Sequence, residues 1–245
     1  MPTRERIALF LRSFALQGSW NYRTLIGAGL AFVLMPTLRR LHAGDPERLR
    51  KAVARHSGLF NSHPYFSGVA IGAVAALESE GEEPAVVERF KQALRGSLGT
   101  VGDRLFWAGW RPVTVLLALA LLLTGAPGWA AVGGFLLAYN VVHLTARVWG
   151  FRVGFTEGRR VGERLRRSGL EQADRGLEWA GPFLAGLLLP LVAAGGLVGV
   201  ALPWPWAGAA AIGGLAGALA GGRVRKPAEL LLIAFVIAAL LLGAF

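Results

Sequence analysis

Residues 112 to 146 carry no Asp, Glu, Lys or Arg, and neither do residues 179 to 222 or the run from Leu230 to Phe245. A hydrocarbon core about 30 Å thick takes about 20 helical residues and resists charge, so neutral stretches of this length suit a bilayer. The first is too long for one span and is broken by Gly125-Ala126-Pro127-Gly128, which reads as a membrane hairpin. The second is interrupted by Pro203-Trp204-Pro205-Trp206, where Pro stops a helix and Trp prefers the headgroup level. It reads as a second hairpin, and the last run as a C-terminal transmembrane helix. The expected fold class is therefore an all-α integral membrane protein.

Composition agrees: 54% of the residues are hydrophobic and 17% charged, and the mean hydropathy is +0.49, far from soluble usage. The chain has no Cys, which removes disulfides, thiolate nucleophiles and Cys-ligated zinc. A net charge of +11 comes mostly from arginine. In so apolar a chain it reads as a basic cytoplasmic face against anionic lipid, not as a nucleic-acid surface. The basic joints Arg39–Arg55, Arg147–Arg175 and Arg223–Lys226 then all lie in the cytoplasm, which puts the N-terminus inside and the C-terminus outside.

The chain is expected to form one membrane domain over 1–245 in three parts, 1–112, 113–178 and 179–245. In the first part, Ile7, Phe10, Leu11 and Phe14 share a helical face opposite Arg4, Glu5 and Arg12, which predicts an interfacial helix lying on the membrane. Asp45-Pro46 to His56 and Glu83-Pro84 to Arg95 each open with an acidic residue before a first-turn Pro, and both predict short cytoplasmic amphipathic helices.

Polar clusters interrupt the apolar stretches. Asn61-Ser62-His63-Pro64-Tyr65 lies in a segment without Asp, Glu, Lys or Arg that is long enough to enter the membrane, and Pro64 breaks it. It reads either as a broken or re-entrant helix of the kind that lines transporter substrate sites, or as a surface loop between two helices. Gln17-Gly18-Ser19-Trp20-Asn21-Tyr22 offers an aromatic face flanked by amide and hydroxyl groups, which suits a neutral sugar; it equally suits an interfacial Trp anchor with a helix cap. The glycines of Gly96-Ser97-Leu98-Gly99-Thr100-Val101-Gly102 fall three apart, for close packing, with Asp103 and Arg111 available as a buried pair before Pro112. The four His show no metal-ligand spacing and no nucleophile motif is present, so no catalytic residue, cofactor or metal is expected.

Four stretches in one order, RSFALQGSWNYRTLIGAGLAFVLMPTLRRLH (12–42), RHSGLFNSHPYFSGVAIGAVAALE (55–78), LRGSLGTVGDRLFWAGWRP (94–112) and LLAYNVVHLTARVWGFRVGFTEG (136–158), resemble the IID subunit of the mannose/fructose/sorbose family of bacterial phosphotransferase systems. The resemblance implies an inner-membrane sugar permease component. An obligatory IIC membrane subunit would complete it, with IIA and IIB carrying the phosphoryl group, a hexose-type sugar moved by an elevator-like step, and assembly as a trimer of IIC–IID pairs. By motif position, Gln17, Ser19, Trp20, Asn21, Asn61 and His63 become candidates for the sugar site or the IIC contact, and Gly99, Gly102, Asp103, Arg111 and Pro112 for structural roles. The Ala/Gly/Leu/Pro-rich run from Gly181 to Gly222 is more compact than the family pattern. That departure leaves a second reading, a non-transporting membrane scaffold or regulatory subunit derived from the same family.

Overall fold

The computed structural model describes residues 1–193 and 204–220, which are helical with no strand among them. The helices are α1 (Thr3–Arg12), α2 (Gly27–Leu41), α3 (Pro46–Ser57), α4 (Ser67–Ser79), α5 (Pro84–Gly102), α6 (Arg111–Leu123), α7 (Gly128–Glu157), α8 (Val161–Arg166), α9 (Leu170–Ala193) and α10 (Trp204–Ala220). A π-helical stretch, Asp103–Trp110, joins α5 to α6. Two helical stretches, Pro84–Leu123 and Gly128–Arg166, are long and apolar enough to cross a membrane. The final run from Leu230 and the C-terminus lie outside the described residues.

Contacts divide the chain into two interleaved units, 1–103 with 142–170, and 104–141 with 171–245. The first boundary falls inside the Gly-rich motif, between Asp103 and Arg104.

In the first unit, α1 packs Glu5 and Leu9 inward. Glu5 is buried, accepting from Thr37 Oγ1 at 2.5 Å and Arg40 Nε at 2.6 Å. Ile7, Leu11 and Phe14 stay exposed. The exposed side thus carries Ile7 and Leu11 beside Arg4 and Arg6, an apolar and basic mixture that suits a lipid interface. The Asp45 carboxylate caps α3 by accepting from Arg48 N–H at 2.9 Å, with Pro46 in the first turn, so this helix starts where its sequence directs.

Two Gly-x-x-x-Gly pairs, Gly68/Gly72 on α4 and Gly150/Gly154 on α7, bring these helices into backbone contact. A Cβ on Gly72 would meet Phe151 O at 2.8 Å and Phe155 N at 2.9 Å; one on Gly154 would strike Val69 O. This is how membrane helices approach closely without large side chains. Since backbone atoms cannot move aside as a flexible side chain can, Gly154→Val should lower stability by at least the 1–3 kcal/mol typical of overpacking. Thermal unfolding in detergent checks it, and an unchanged midpoint would show the crossing to be loose.

In the second unit, α6 and the first half of α7 flank a turn at Thr124–Pro127, with Gly125 at φ +82, a left-handed value that favours glycine. Trp110 Nε1 donates across the hairpin to Ala138 O at 3.3 Å. α9 and α10 cross at glycines: a Cβ on Gly186 or Gly213 would overlap the other's carbonyl, and one on Gly217 would overlap that of Pro182. Arg104 pairs with Asp174.

Three expectations are corrected. The segment opening at Glu83-Pro84 does not end near Arg95: α5 runs on through the Gly-rich motif to Gly102, because no Pro intervenes before Pro112. Arg147 does not mark the end of a span, since α7 continues to Glu157 and buries it. Asp103 and Arg111 are each exposed instead of buried, and Arg111 lies over the Trp107 ring at 5.0 Å.

Candidate functional site: a pair of laced loops

The polar clusters occupy two of the interhelical loops of the first unit, one between α1 and α2 and one between α3 and α4. Backbone hydrogen bonds lace these loops together. Ile26 N–H donates to Phe60 O at 3.1 Å, and Phe60 N–H donates to Thr24 O at 3.2 Å. The seam needs small residues: a Cβ on Gly27 would overlap Gly58 O, and one on Gly29 would overlap Leu16 O. Leu25 sits at φ +54, an uncommon value for a residue with a side chain, held on both sides by the bridges to Asn21 and Phe60. Clusters about forty residues apart in sequence thus meet in one double loop.

The candidate residues play different parts in it. The Asn21 amide is consumed locally: Oδ1 accepts from Arg23 N–H at 3.0 Å and Thr24 N–H at 2.9 Å, while Nδ2 donates to Thr24 Oγ1 at 2.8 Å and Ser19 O at 3.2 Å. That is an Asx-type turn, and it builds the loop. Gln17, Ser19 and Trp20 are exposed, and the Trp20 ring meets the exposed Tyr22 edge-to-face at 4.8 Å. Asn61 is exposed too, one residue beyond the seam, and its side chain has no hydrogen-bond partner among the described residues. His63 is buried, its Nδ1 accepting from Tyr65 N–H at 3.3 Å. A Cβ on Gly102 would overlap the His63 side chain, so this glycine is fixed by packing, whereas Gly99 has open space around it. Pro112 lies where the π-helical stretch passes into α6, inside the continuous helical run from Pro84 to Leu123.

Beneath the loops lies a residue the sequence reading took for a cytoplasmic marker. Arg147 projects from α7 over the rings of Phe14, at 4.7 Å, and Tyr65, at 5.2 Å, and its Nη1 reaches Ser13 O and Oγ at 3.4 Å. One turn earlier on the same helix, the His143 ring lies tilted against Tyr65, with centroids 4.2 Å apart. The available signal was the i, i+4 spacing of His143 and Arg147 inside a mostly apolar helix, where a buried charge marks function more often than a boundary.

The loops are braced by a polar network of α3, α4 and α5. The Glu78 carboxylate accepts from Arg55 Nη2 at 2.6 Å and pairs with His56 Nε2 at 2.7 Å; Lys91 Nζ donates to Arg55 O at 2.7 Å and to Glu88 at 2.9 Å. Burial holds the His56 imidazole below its usual range, against the hydrogen bond to Glu78, and the charges of Lys91 and Arg55 push the same way as burial. With the folded value lowered, the unfolded chain takes up this proton first, so stability should fall as pH drops below about 6.5. Unfolding midpoints between pH 7.5 and 5 should show the loss, and His56→Gln should flatten it; an unchanged slope in the variant would assign the loss to other groups.

The arrangement offers hydrogen-bonding amides and hydroxyls beside aromatic faces on a braced double loop, which suits recognition of a polar ligand. Among the described residues no group of three or more His, Asp or Glu could hold a metal ion. The family model of the mannose/fructose/sorbose family IID component of the phosphotransferase system matches residues 1–201. The chain belongs to this IID family. It is 30% identical over 186 residues to the mannose-specific EIID component of Escherichia coli K12, covering 74% of this chain, and spans 65% of that relative's length. It is 29% identical to the fructose permease IID component of Bacillus subtilis 168, covering 77% of this chain and 70% of that one. Among solved structures, this IID chain matches one from the cryo-EM structure of the mannose transporter ManYZ with microcin E492, at a TM-score of 0.61 and 28% identity, covering 78% of this chain and 70% of that one. Another match, described as a membrane protein, has a TM-score of 0.69 and 27% identity, covering 77% of this chain and 70% of that chain. The IID chain is a membrane protein.

Proposed function

We propose that this IID chain is the non-catalytic membrane subunit of a mannose-family phosphotransferase sugar transporter. It forms the translocation unit with a IIC subunit, and IIB phosphorylates the sugar at the cytoplasmic face. The observation that carries this reading is the double loop, which sets the exposed Gln17, Ser19, Trp20 and Asn61 on one braced scaffold. A sugar needs donors and acceptors flanking an aromatic face, which the exposed amides and hydroxyl beside Trp20 supply. The same reading includes trimers of IIC–IID pairs, an elevator-like movement, IIA as phosphoryl donor to IIB, and a bacterial inner-membrane location with the N-terminus inside and the C-terminus outside.

These groups are too few to surround a hexose, so the site is completed by IIC. Radiolabelled mannose or fructose should bind to the co-purified IIC–IID pair and not to the IID chain alone. Binding by the chain alone would refute the shared site. One observation favours the second reading, a scaffold or regulatory subunit derived from the family: the family match ends at residue 201. A pair that retains IIB and binds no sugar would select it.

A further inference from the structure

One face of α7 carries a groove of about 710 Å³ that the sugar-site reading leaves unused. Its floor follows two adjacent ridges of the helix, from Leu144 and Val148 through Trp149 to Arg152 and Glu157, and Arg164 of α8 closes its end. Leu144 to Glu157 covers about 20 Å of helix at 1.5 Å per residue, comparable with one leaflet's share of the hydrocarbon core, about 15 Å, plus a headgroup. The groove changes character along this length. Leu144 and Val148 are exposed and apolar, with the Trp149 indole beside them, whereas Arg152 and Arg164 are exposed cations at the far end.

Those two cations have no acidic partner among the described residues, although their neighbours do: Arg159 pairs with Glu82 and Arg167 with Glu163. Glu157 is the one carboxylate in the lining, so the polar end keeps a net positive charge. An apolar trough one leaflet long, ending in two unpaired guanidiniums, complements a molecule with an acyl chain and a phosphate. Guanidinium suits phosphate, which it can bind in a two-pronged fashion. We propose that this groove binds an anionic phospholipid of the inner leaflet, its headgroup phosphate held by Arg152 and Arg164 and one acyl chain laid along Leu144, Val148 and Trp149. The inference rests on the proposed orientation, with the Arg-rich end of α7 at the cytoplasmic face, but not on the chain transporting sugar.

The test is lipid binding to the full-length chain, purified with its IIC partner and followed by native mass spectrometry while dioleoylphosphatidylglycerol or dioleoylphosphatidylcholine is titrated into the micelles. The phosphatidylglycerol should bind more tightly, and Arg152→Gln with Arg164→Gln should erase the preference, a loss of about 30-fold for two cations at an anionic headgroup. Arg166→Gln with Arg175→Gln removes the same charge elsewhere and should leave the preference intact. Val148→Trp, which fills the trough and keeps both cations, should weaken phosphatidylglycerol as well. Thermal unfolding of each variant establishes that it is folded. Retained preference in the Arg152/Arg164 variant would overturn the proposal. Competition by millimolar inorganic phosphate would also overturn it, by marking a site for free anions. Binding to the isolated chain that vanishes in the IIC complex would overturn it too, by assigning the groove to the protein partner.

Discussion

Glu78→Ala is expected to destabilise the first unit by about 3–5 kcal/mol, the range for removing one partner of a buried ion pair. Glu78 is buried at the end of α4 and neutralises a crowded neighbourhood: Arg55 and His56 reach it from α3, and Lys91 of α5 is buried against the carbonyl of Arg55. Without the carboxylate, the Arg55 guanidinium loses its acidic partner while Lys91 keeps Glu88, and the His56 imidazole loses the acceptor of its Nε2–H. Much of the cost is thus the stranding of what remains. Glu78→Gln keeps an acceptor of similar shape and should lose less. In detergent, Glu78→Ala should lower the unfolding midpoint by roughly 6–20 °C. Because α3 and α4 flank the loop from Gly58 to Phe66, sugar binding should fall with it. A midpoint within a degree of the wild type would mean that the network is an ornament of the surface and not the brace of the site.

What the sequence disclosed and what it withheld follow from the range of the forces involved. Asp45-Pro46 and Glu83-Pro84 announce α3 and α5 because capping and proline geometry act within one turn. Gly125 and Pro127 place the turn after α6 for the same local reason. Arg147 misled because a charge ending an apolar run is usually solvated, whereas here the rings of Phe14 and Tyr65 and the oxygens of Ser13 receive it from far along the chain. The glycines at 96, 99 and 102 look equivalent in the sequence, yet only Gly102 has a neighbour, His63, that requires the missing Cβ. The Gly68/Gly72 and Gly150/Gly154 pairs carried a legible spacing, but nothing local says that one pair meets the other. Asn21 and Asn61 are alike as sequence signals, and the fold alone separates them: the first spends its amide on a turn and the second leaves its amide exposed.

That separation yields the second large effect. Asn61→Ala should leave folding untouched, since the side chain is exposed and makes no hydrogen bond to the described residues. Uptake should nevertheless collapse, because an amide that donates to and accepts from a sugar hydroxyl or a IIC group leaves that partner desolvated and unpaired when it is removed. Such a loss is about 1–3 kcal/mol, or about 5- to 150-fold in affinity. Asn21→Ala should act by the other route, lowering the unfolding midpoint as the turn from Ser19 to Thr24 loses its hydrogen bonds. Arg166→Ala, on the exposed α8, should leave sugar affinity unchanged while weakening IIB docking and its salt dependence.

The most direct measurement is phosphorylation-coupled uptake of radiolabelled mannose and fructose into membrane vesicles holding this chain with its IIC partner, supplied with IIA and IIB. Wild type, Asn61→Ala and Arg166→Ala would be compared at matched protein levels and saturating IIB. Uptake that requires the chain, falls 5- to 150-fold in affinity with Asn61→Ala and keeps its affinity with Arg166→Ala is the predicted result. Uptake that proceeds equally without the chain, or with Asn61→Ala at unaltered affinity, would contradict it.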